Sequence, residues 1–265
     1  MYYAQKLSSR ISKESTFLAN LWLKLERPPI DYFRWTEYPL ALALLDAREG
    51  DRVLDIGSAD TIFPLALVSK GCHVWATDIR AEVHKMLSGY QHLRGRLRFA
   101  SLHTEVEDAT KLHYPDECFD KVTVVSTIEH IVDDRSAIME SARVLRRGGT
   151  CLITCPFSRK YREIHASVKL AARMTGQRQY SRIAITERII QPSNLQIEEI
   201  AYFGERLPFS ILWYLLPHRL QGRRSAVPLT ASQLFTRVSL KESLMTEGIV
   251  LRLKKRRSGN HSRQT

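Results

Sequence analysis

The chain has 265 residues, 44% of them hydrophobic and 26% charged, with a formal net charge of +12. That balance belongs to a folded chain rather than a disordered one, and the length suits one α/β domain or two small ones. Mean hydropathy is −0.25 and no apolar run approaches the ~20 residues that span a bilayer, so an integral membrane protein and a collagen-like chain both fit poorly.

Met1-Tyr-Tyr-Ala-Gln-Lys6 lacks the apolar core of a secretory signal peptide. The 4 cysteines are too few for a disulfide scaffold, and Cys151 and Cys155 fall in an apolar stretch where cysteine acts as a small hydrophobe. A reducing cytoplasm is the expectation. Charge is uneven along the chain: residues 1–49 carry 7 basic and 6 acidic side chains, 50–156 carry 13 and 15, and 157–265 carry 20 and 7. The excess of +13 in the last third speaks to partners rather than fold, namely an anionic substrate, a phospholipid surface or nucleic acid.

In chain order, residues 1–20 open a helix, Glu26-Arg-Pro-Pro-Ile30 breaks it, and Tyr38-Pro-Leu-Ala-Leu-Ala-Leu-Leu45 resumes a helical pattern that ends near Gly50. Val53–Ile56 is a short strand and Gly57–Asp60 a turn. The helix Thr61–Lys70 follows, with Pro64 in its first turn, and Gly71 ends it. Cys72–Thr77 is the second strand and Ala81–Tyr90 the next helix. Leu97–Ala100 reads as a third strand and Phe119–Val125 as a fourth. A helix over Asp134–Arg146, a turn at Arg147–Gly149 and a fifth strand over Thr150–Thr154 complete a βα rhythm, which argues for a parallel sheet. Residues 157–190 look helical and basic. Leu195–Tyr202 and Gly248–Leu253 read as two late strands separated by a helical, basic insertion, and 257–265 as a basic disordered tail.

The chemistry concentrates in Val53-Leu-Asp-Ile-Gly-Ser-Ala-Asp60 and in Asp78. In a doubly wound sheet the ligand lies beyond the carboxyl ends of the strands, where the first βα loop meets it. Gly57 lets the backbone pass close to such a ligand. An acid about 20 positions on can accept both ribose hydroxyls, and Asp78 stands there. A dinucleotide site wants Gly-x-Gly-x-x-Gly, whereas this loop has one glycine and the carboxylate of Asp60, which would repel a pyrophosphate. Asp55 adds a second carboxylate near the same point. Two acids suit a sulfonium and an α-ammonium.

These residues resemble the class I S-adenosylmethionine-dependent methyltransferases, specifically the methyltransferase type 11 branch. The matching segments are Arg52–Gly57, Val74–Ile79, Glu107–Ala109, Phe119–His130 and Val144–Gly149, and the resemblance covers about residues 35–156. It implies a Rossmann-like, doubly wound, mostly parallel seven-stranded sheet and S-adenosyl-L-methionine as cofactor. By position, Asp55, Gly57, Ser58 and Ala59 would line the methionine end, Asp78 would hold the ribose with Ile79 beside it, and Asp108 with Ala109 would contact the adenine. Ser126 and Thr127 would sit under the cofactor. The family's usual run is Asp-x-Gly-x-Gly-x, and Ala59 stands where the second glycine is expected, a substitution that suits a negative φ.

Some relatives bind a divalent metal through Glu-x-x-Glu-His. Here Ser126 replaces the first Glu, so no metal is expected, and Glu129 and His130 read first as anchors of the loop, with His130 the candidate general base. Trp35, Glu37 and Tyr38 either close over the cofactor or pack the N-terminal helix. The organisation expected is a helical lid over 1–50, the cofactor-binding core over 51–156, acceptor-side helices and the last two strands over 157–256, and the tail. The reaction expected is O-methylation of a small-molecule, lipid-linked or glycan-type acceptor. The run Phe209–Leu216 beside His218, Arg219, Arg223 and Arg224 suits peripheral contact with an anionic membrane. An RNA methyltransferase and a non-catalytic, cofactor-binding relative are the alternatives, nucleic acid being the less favoured partner because no appended RNA-binding motif is visible.

Overall fold

The computed structural model describes residues 2–25, 33–59, 61–89, 101–163, 178–205, 236–243 and 246–256. Helices α1 (Tyr2–Lys24) and α2 (Arg34–Leu45) precede strand β1 (Arg52–Ile56), α3 (Phe63–Ser69), β2 (His73–Asp78), α4 (Ala81–Gly89), β3 (Ser101–Val106), β4 (Phe119–Val125), α5 (Asp134–Val144) and β5 (Leu145–Pro156). A two-stranded ribbon, β6 (Arg162–Glu163) with β7 (Arg178–Gln179), comes next. Helix α6 (Arg182–Ile185) runs on through a π-helical turn to Ser193, followed by β8 (Gln196–Glu205), β9 (Thr236–Ser239) and β10 (Thr246–Lys254).

The main sheet has 8 strands in the order β3-β2-β1-β4-β5-β10-β8-β9. Strands β1 to β5 pair in parallel, while β10 is antiparallel to both β5 and β8, and β9 is antiparallel to β8. The chain runs outward from β1 to β3, then returns to start β4 on the other side of β1. That reversal leaves a crevice at the carboxyl ends of β1 and β4, where an open α/β sheet takes its ligand. The expected fold class stands, with eight strands in place of seven, because β9 adds an edge.

Both faces of the sheet are covered, so its inner strands carry apolar residues on both sides. Val53, Val74 and Leu152 pack under α1, α2 and α3, while Leu54, Val122 and Ile153 pack against α5 and α6. Cys151 and Cys155 lie in the second of these clusters as free thiols, and burial pushes the Cys151 thiol up to about 12, as expected of cysteines serving as core residues. Helix α1 is tied back by Arg10 to Asp46 at 3.2 Å and by Glu14 to Lys70 at 2.8 Å. Trp35 stands edge-on to Trp22 with ring centroids 5.5 Å apart, so this aromatic packs the N-terminal helices together.

Several sequence expectations need correction. The third strand is Ser101–Val106 rather than Leu97–Ala100, which lies outside the described residues. Beyond β2 it is an edge, so only Leu102 and Thr104 are buried and its apolar signal is weak. Arg147–Gly149 belongs to β5, not to a free turn. The register slips between the pairs Phe119–Leu145 and Lys121–Thr150, and Gly148 at φ +72° absorbs the irregularity. Within 157–190 the described residues form the β6–β7 ribbon as well as helix, so that stretch is not uniformly helical. Strand β9 falls in the interval read as helical insertion, of which 206–235 lies outside the described residues. So do Asp60, the Phe209–Leu216 run with its flanking basic residues, and the tail over 257–265. Among the described residues, no helix is long and apolar enough to cross a membrane.

Candidate active site

Strand β1 delivers Asp55 to the crevice, and the loop that follows folds back over it. Asp55 is 2% exposed. Its Oδ1 accepts from Thr123 Oγ1 of β4 at 2.6 Å and its Oδ2 from Ser58 Oγ at 2.7 Å. Burial raises its carboxyl to about 6 despite those two hydroxyl donors, and the charge of Asp78 pushes the same way. The group is still mostly ionised at neutral pH, and a cation placed beside it offsets the cost of burying that charge.

The loop is pinned at every step. Gly57 sits at φ +69°, and a Cβ there would lie 2.1 Å from Thr127 Cγ2. Thr127 Oγ1 donates to Gly57 O at 3.1 Å, so the β1 loop and the turn after β4 touch at that glycine. Ser58 N donates to Thr77 O at 2.9 Å. Ala59 N donates to Asp78 Oδ2 at 3.1 Å, and to do so Ala59 adopts φ +46°. The negative φ that would suit an alanine at this position is not what the loop adopts: the bond to β2 demands the left-handed conformation in which the family's glycine would be at ease.

Asp78 is 8% exposed and ends β2 beside Ile79, which is 68% exposed. Burial pushes its carboxyl up, but the side chain and backbone N–H of Arg80 and the N–H of Ala59 outweigh that and hold it below the ordinary value. Glu107 N donates to Asp78 O at 3.1 Å, which brings the loop after β3 alongside. There Asp108 accepts from Thr110 N at 2.9 Å and from Thr110 Oγ1 at 2.7 Å, and Ala109 packs on the core.

At the end of β4, Ser126 adopts φ +45°, with its N–H donating to Thr154 Oγ1 at 2.9 Å and to Thr154 O at 3.1 Å. A residue that the sequence places either over the cofactor or against the N-terminal helix completes this floor. Glu37 of α2, 1% exposed, accepts from Ser126 Oγ at 2.6 Å and from Thr154 Oγ1 through Oε1, while Oε2 pairs with Arg34. One buried carboxylate thereby ties α2 to the ends of β4 and β5 and orients a guanidinium. Arg34 also lies over the Tyr38 ring, 5.6 Å from its centroid. The only signal for Glu37 in the sequence was an acid inside an otherwise apolar helix, and Arg34 gave none.

Asp55, Gly57, Ser58, Ala59 and Ser126 share the walls of a narrow cleft with Arg34 and Tyr38. Thr127 braces that cleft from behind, and Asp78, Ile79, Asp108 and Ala109 continue along the ends of β2 and β3 rather than walling it. His130 ends the 3-10 turn Ile128–His130 with a half-exposed side chain. Burial, and then the charges of Arg34 and Arg80, hold its imidazole below the usual value, so it is neutral and basic at physiological pH. Glu129 beside it is 2% exposed, and its Oε2 has no hydrogen-bond partner among the described residues. Burial lifts its carboxyl to about 8.

This donor set fits S-adenosyl-L-methionine. One cleft holds a buried carboxylate and a guanidinium, the complements of an α-ammonium and a carboxylate, and a second acid stands at the end of the neighbouring strand where a ribose diol would lie.

Comparison with known proteins agrees. The family model "Methyltransferase domain" matches residues 54–153. The demethylmenaquinone methyltransferase of Clavibacter sepedonicus is 34% identical over 109 residues, 41% of this chain and 42% of that one. The ubiquinone/menaquinone biosynthesis C-methyltransferase UbiE of Nitrosospira multiformis is 36% identical over 132 residues, 47% of this chain and 50% of its own. The chain thus spans about half the length of the curated relatives it matches or less. Among solved structures, phosphoethanolamine N-methyltransferase 2 of Haemonchus contortus, in complex with S-adenosyl-L-methionine, superposes with a TM-score of 0.56 at 18% identity, over 82% of this chain and 52% of that one. The [4+2]-cyclase SpnF does so at 0.58 and 14%, over 83% and 80%. These two speak to the fold alone. Over residues 54–153 the chain is similar to the class I methyltransferase domains of the type 11 branch, which use S-adenosyl-L-methionine.

Proposed function

We propose that the chain is an S-adenosylmethionine-dependent methyltransferase whose acceptor is a hydrophobic small molecule with a hydroxylated ring, methylated on carbon. The observation that carries the cofactor half is the buried Asp55 sharing one cleft with Arg34 at the switch point of the sheet. The acceptor half rests on the relatives, one named a demethylmenaquinone methyltransferase and the other a ubiquinone/menaquinone biosynthesis C-methyltransferase, and it replaces O-methylation as the favoured reading.

When bound, the cofactor supplies an electrophilic methyl group on a sulfonium. Asp55 would hold the α-ammonium and Arg34 the carboxylate. Asp78 would accept from the ribose hydroxyls, with Ile79 beside it, and Asp108 with the backbone of Ala109 would meet the adenine edge. Ser126 and Thr127 form the floor, and α2, locked down through Glu37, keeps water from the methyl end. His130, uncharged at neutral pH, would take the proton from an acceptor hydroxyl at Nε2 or Nδ1 as the ring carbon becomes nucleophilic. Most of the acceleration then comes from orientation, which is worth up to about 7–11 kcal/mol when reactants are well aligned.

A lipid-linked acceptor also makes sense of the +13 excess beyond residue 156, which would favour peripheral contact with an anionic membrane. The test is incubation with methyl-labelled S-adenosylmethionine and a short-chain demethylated naphthoquinol, followed by mass spectrometry. Label on a ring carbon is expected. Label on oxygen, or in RNA but not in quinol, would refute this acceptor assignment.

A further inference from the structure

Asp78 is saturated before any ligand arrives. A carboxylate offers about four acceptor positions, and all four are engaged. Oδ1 accepts from Arg80 N at 3.0 Å and from Arg80 Nε at 3.0 Å, and Oδ2 accepts from Ala59 N at 3.1 Å and Arg80 Nη2 at 3.2 Å. The two backbone bonds come with the fold. The other two come from a single guanidinium fork whose side chain is 59% exposed above a carboxylate that is 8% exposed.

A ribose diol presents two adjacent O–H donors and asks for the same two acceptor positions. Resting on the cofactor reading given above, we propose that the Arg80 side chain is a built-in occupant of the ribose subsite, so that a nucleoside ligand enters by exchanging two hydroxyls for the guanidinium on Asp78. The displaced side chain has somewhere to go. Glu82, in the first turn of α4, already acts electrostatically on Arg80, and the rest of the fork faces solvent. Because the guanidinium end of the pair is exposed, water competes for it and the pair is weak, so it sets the affinity of the site without closing it. The backbone bonds from Arg80 N and Ala59 N remain in both states and keep Asp78 ionised for the incoming diol.

The experiment is calorimetric titration with adenosine, which is uncharged and carries the ribose, and with S-adenosylhomocysteine, against the parent chain, Arg80→Met and Arg80→Lys. Arg80→Met keeps the apolar stem and removes the fork, and it should bind both ligands about threefold to tenfold more tightly. Arg80→Lys, a single point charge without a fork, should fall between. Raising the salt from low to physiological should tighten adenosine binding by the parent, because it screens the internal pair, and should leave Arg80→Met unchanged. Equal or weaker binding by Arg80→Met overturns the proposal and makes Arg80 a spectator or a ligand contact. If neither ligand binds the parent or any variant, the cofactor reading itself falls, an outcome distinct from parent and variant binding S-adenosylhomocysteine alike.

Discussion

Ala59 holds φ +46° in order to donate its N–H to Asp78, and the consequence can be measured by replacing it with glycine. The left-handed conformation costs a residue with a Cβ roughly 1–2 kcal/mol. Glycine removes that strain but gives up roughly 0.5–1 kcal/mol to the freer unfolded chain. Ala59→Gly should therefore stabilise the protein by about 0.5–1 kcal/mol, a rise in Tm of about 1–4 °C for a domain of this size. Ala59→Val, β-branched at a positive φ, should go the other way by more than about 1 kcal/mol. Urea unfolding at fixed pH reads both, with the slope m unchanged if only the folded loop is affected. A lower midpoint for Ala59→Gly, as at an ordinary negative-φ site, would refute the strained-loop argument.

Gly57→Ala should be the opposite case, losing more than about 2 kcal/mol, because its Cβ would meet Thr127 Cγ2 at 2.1 Å; Thr127→Ala in the same chain should recover part of the loss, and no recovery would contradict the contact. Burial raises Glu129 from 4.5 to about 8, so the folded state binds the proton more tightly and stability falls as pH rises through that window. Glu129→Gln should roughly match the parent in urea at pH 5 and exceed it at pH 9 by several kcal/mol, the rise from 4.5 to about 8 being worth up to about 5 kcal/mol; a parent more stable at pH 9 than the variant would reverse the sign. Asp134, fully buried, accepts from Arg188 at 2.7 and 2.8 Å and from the Tyr180 hydroxyl at 2.8 Å, binding α5 to the segment after β7. Asp134→Asn should lose about 3 kcal/mol in thermal and urea unfolding, and a change under about 1 kcal/mol would show the triad to be dispensable.

The parallel strands were legible because Val53–Ile56, Val122–Val124 and Thr150–Thr154 are buried on both faces and so are mostly apolar. Edge strands hide. β3 buries every second residue, and β9 is four residues long, too short to show a period. The positions of Asp55, Gly57 and Asp78 at strand ends follow from motif spacing, and the structure draws Asp55, Gly57, Ser58, Ala59 and Ser126 to one cleft. What spacing could not show is contact across 89 and 117 positions, the separations between Glu37 and its partners Ser126 and Thr154. Nor could it show the φ of Ala59, which is set by a bond to a residue 19 positions away. Nor does spacing single out Arg34 or Arg80, each of which the fold places against a carboxylate.

Calorimetry with S-adenosyl-L-methionine on the parent chain and Asp78→Asn tests most directly whether the crevice at the ends of β1, β2 and β4 receives that cofactor. One molecule bound per parent chain is expected, with roughly tenfold to hundredfold weaker binding once the charged acceptor for the ribose hydroxyls is lost. No heat of binding with a folded parent, or equal affinity in the two proteins, would contradict it.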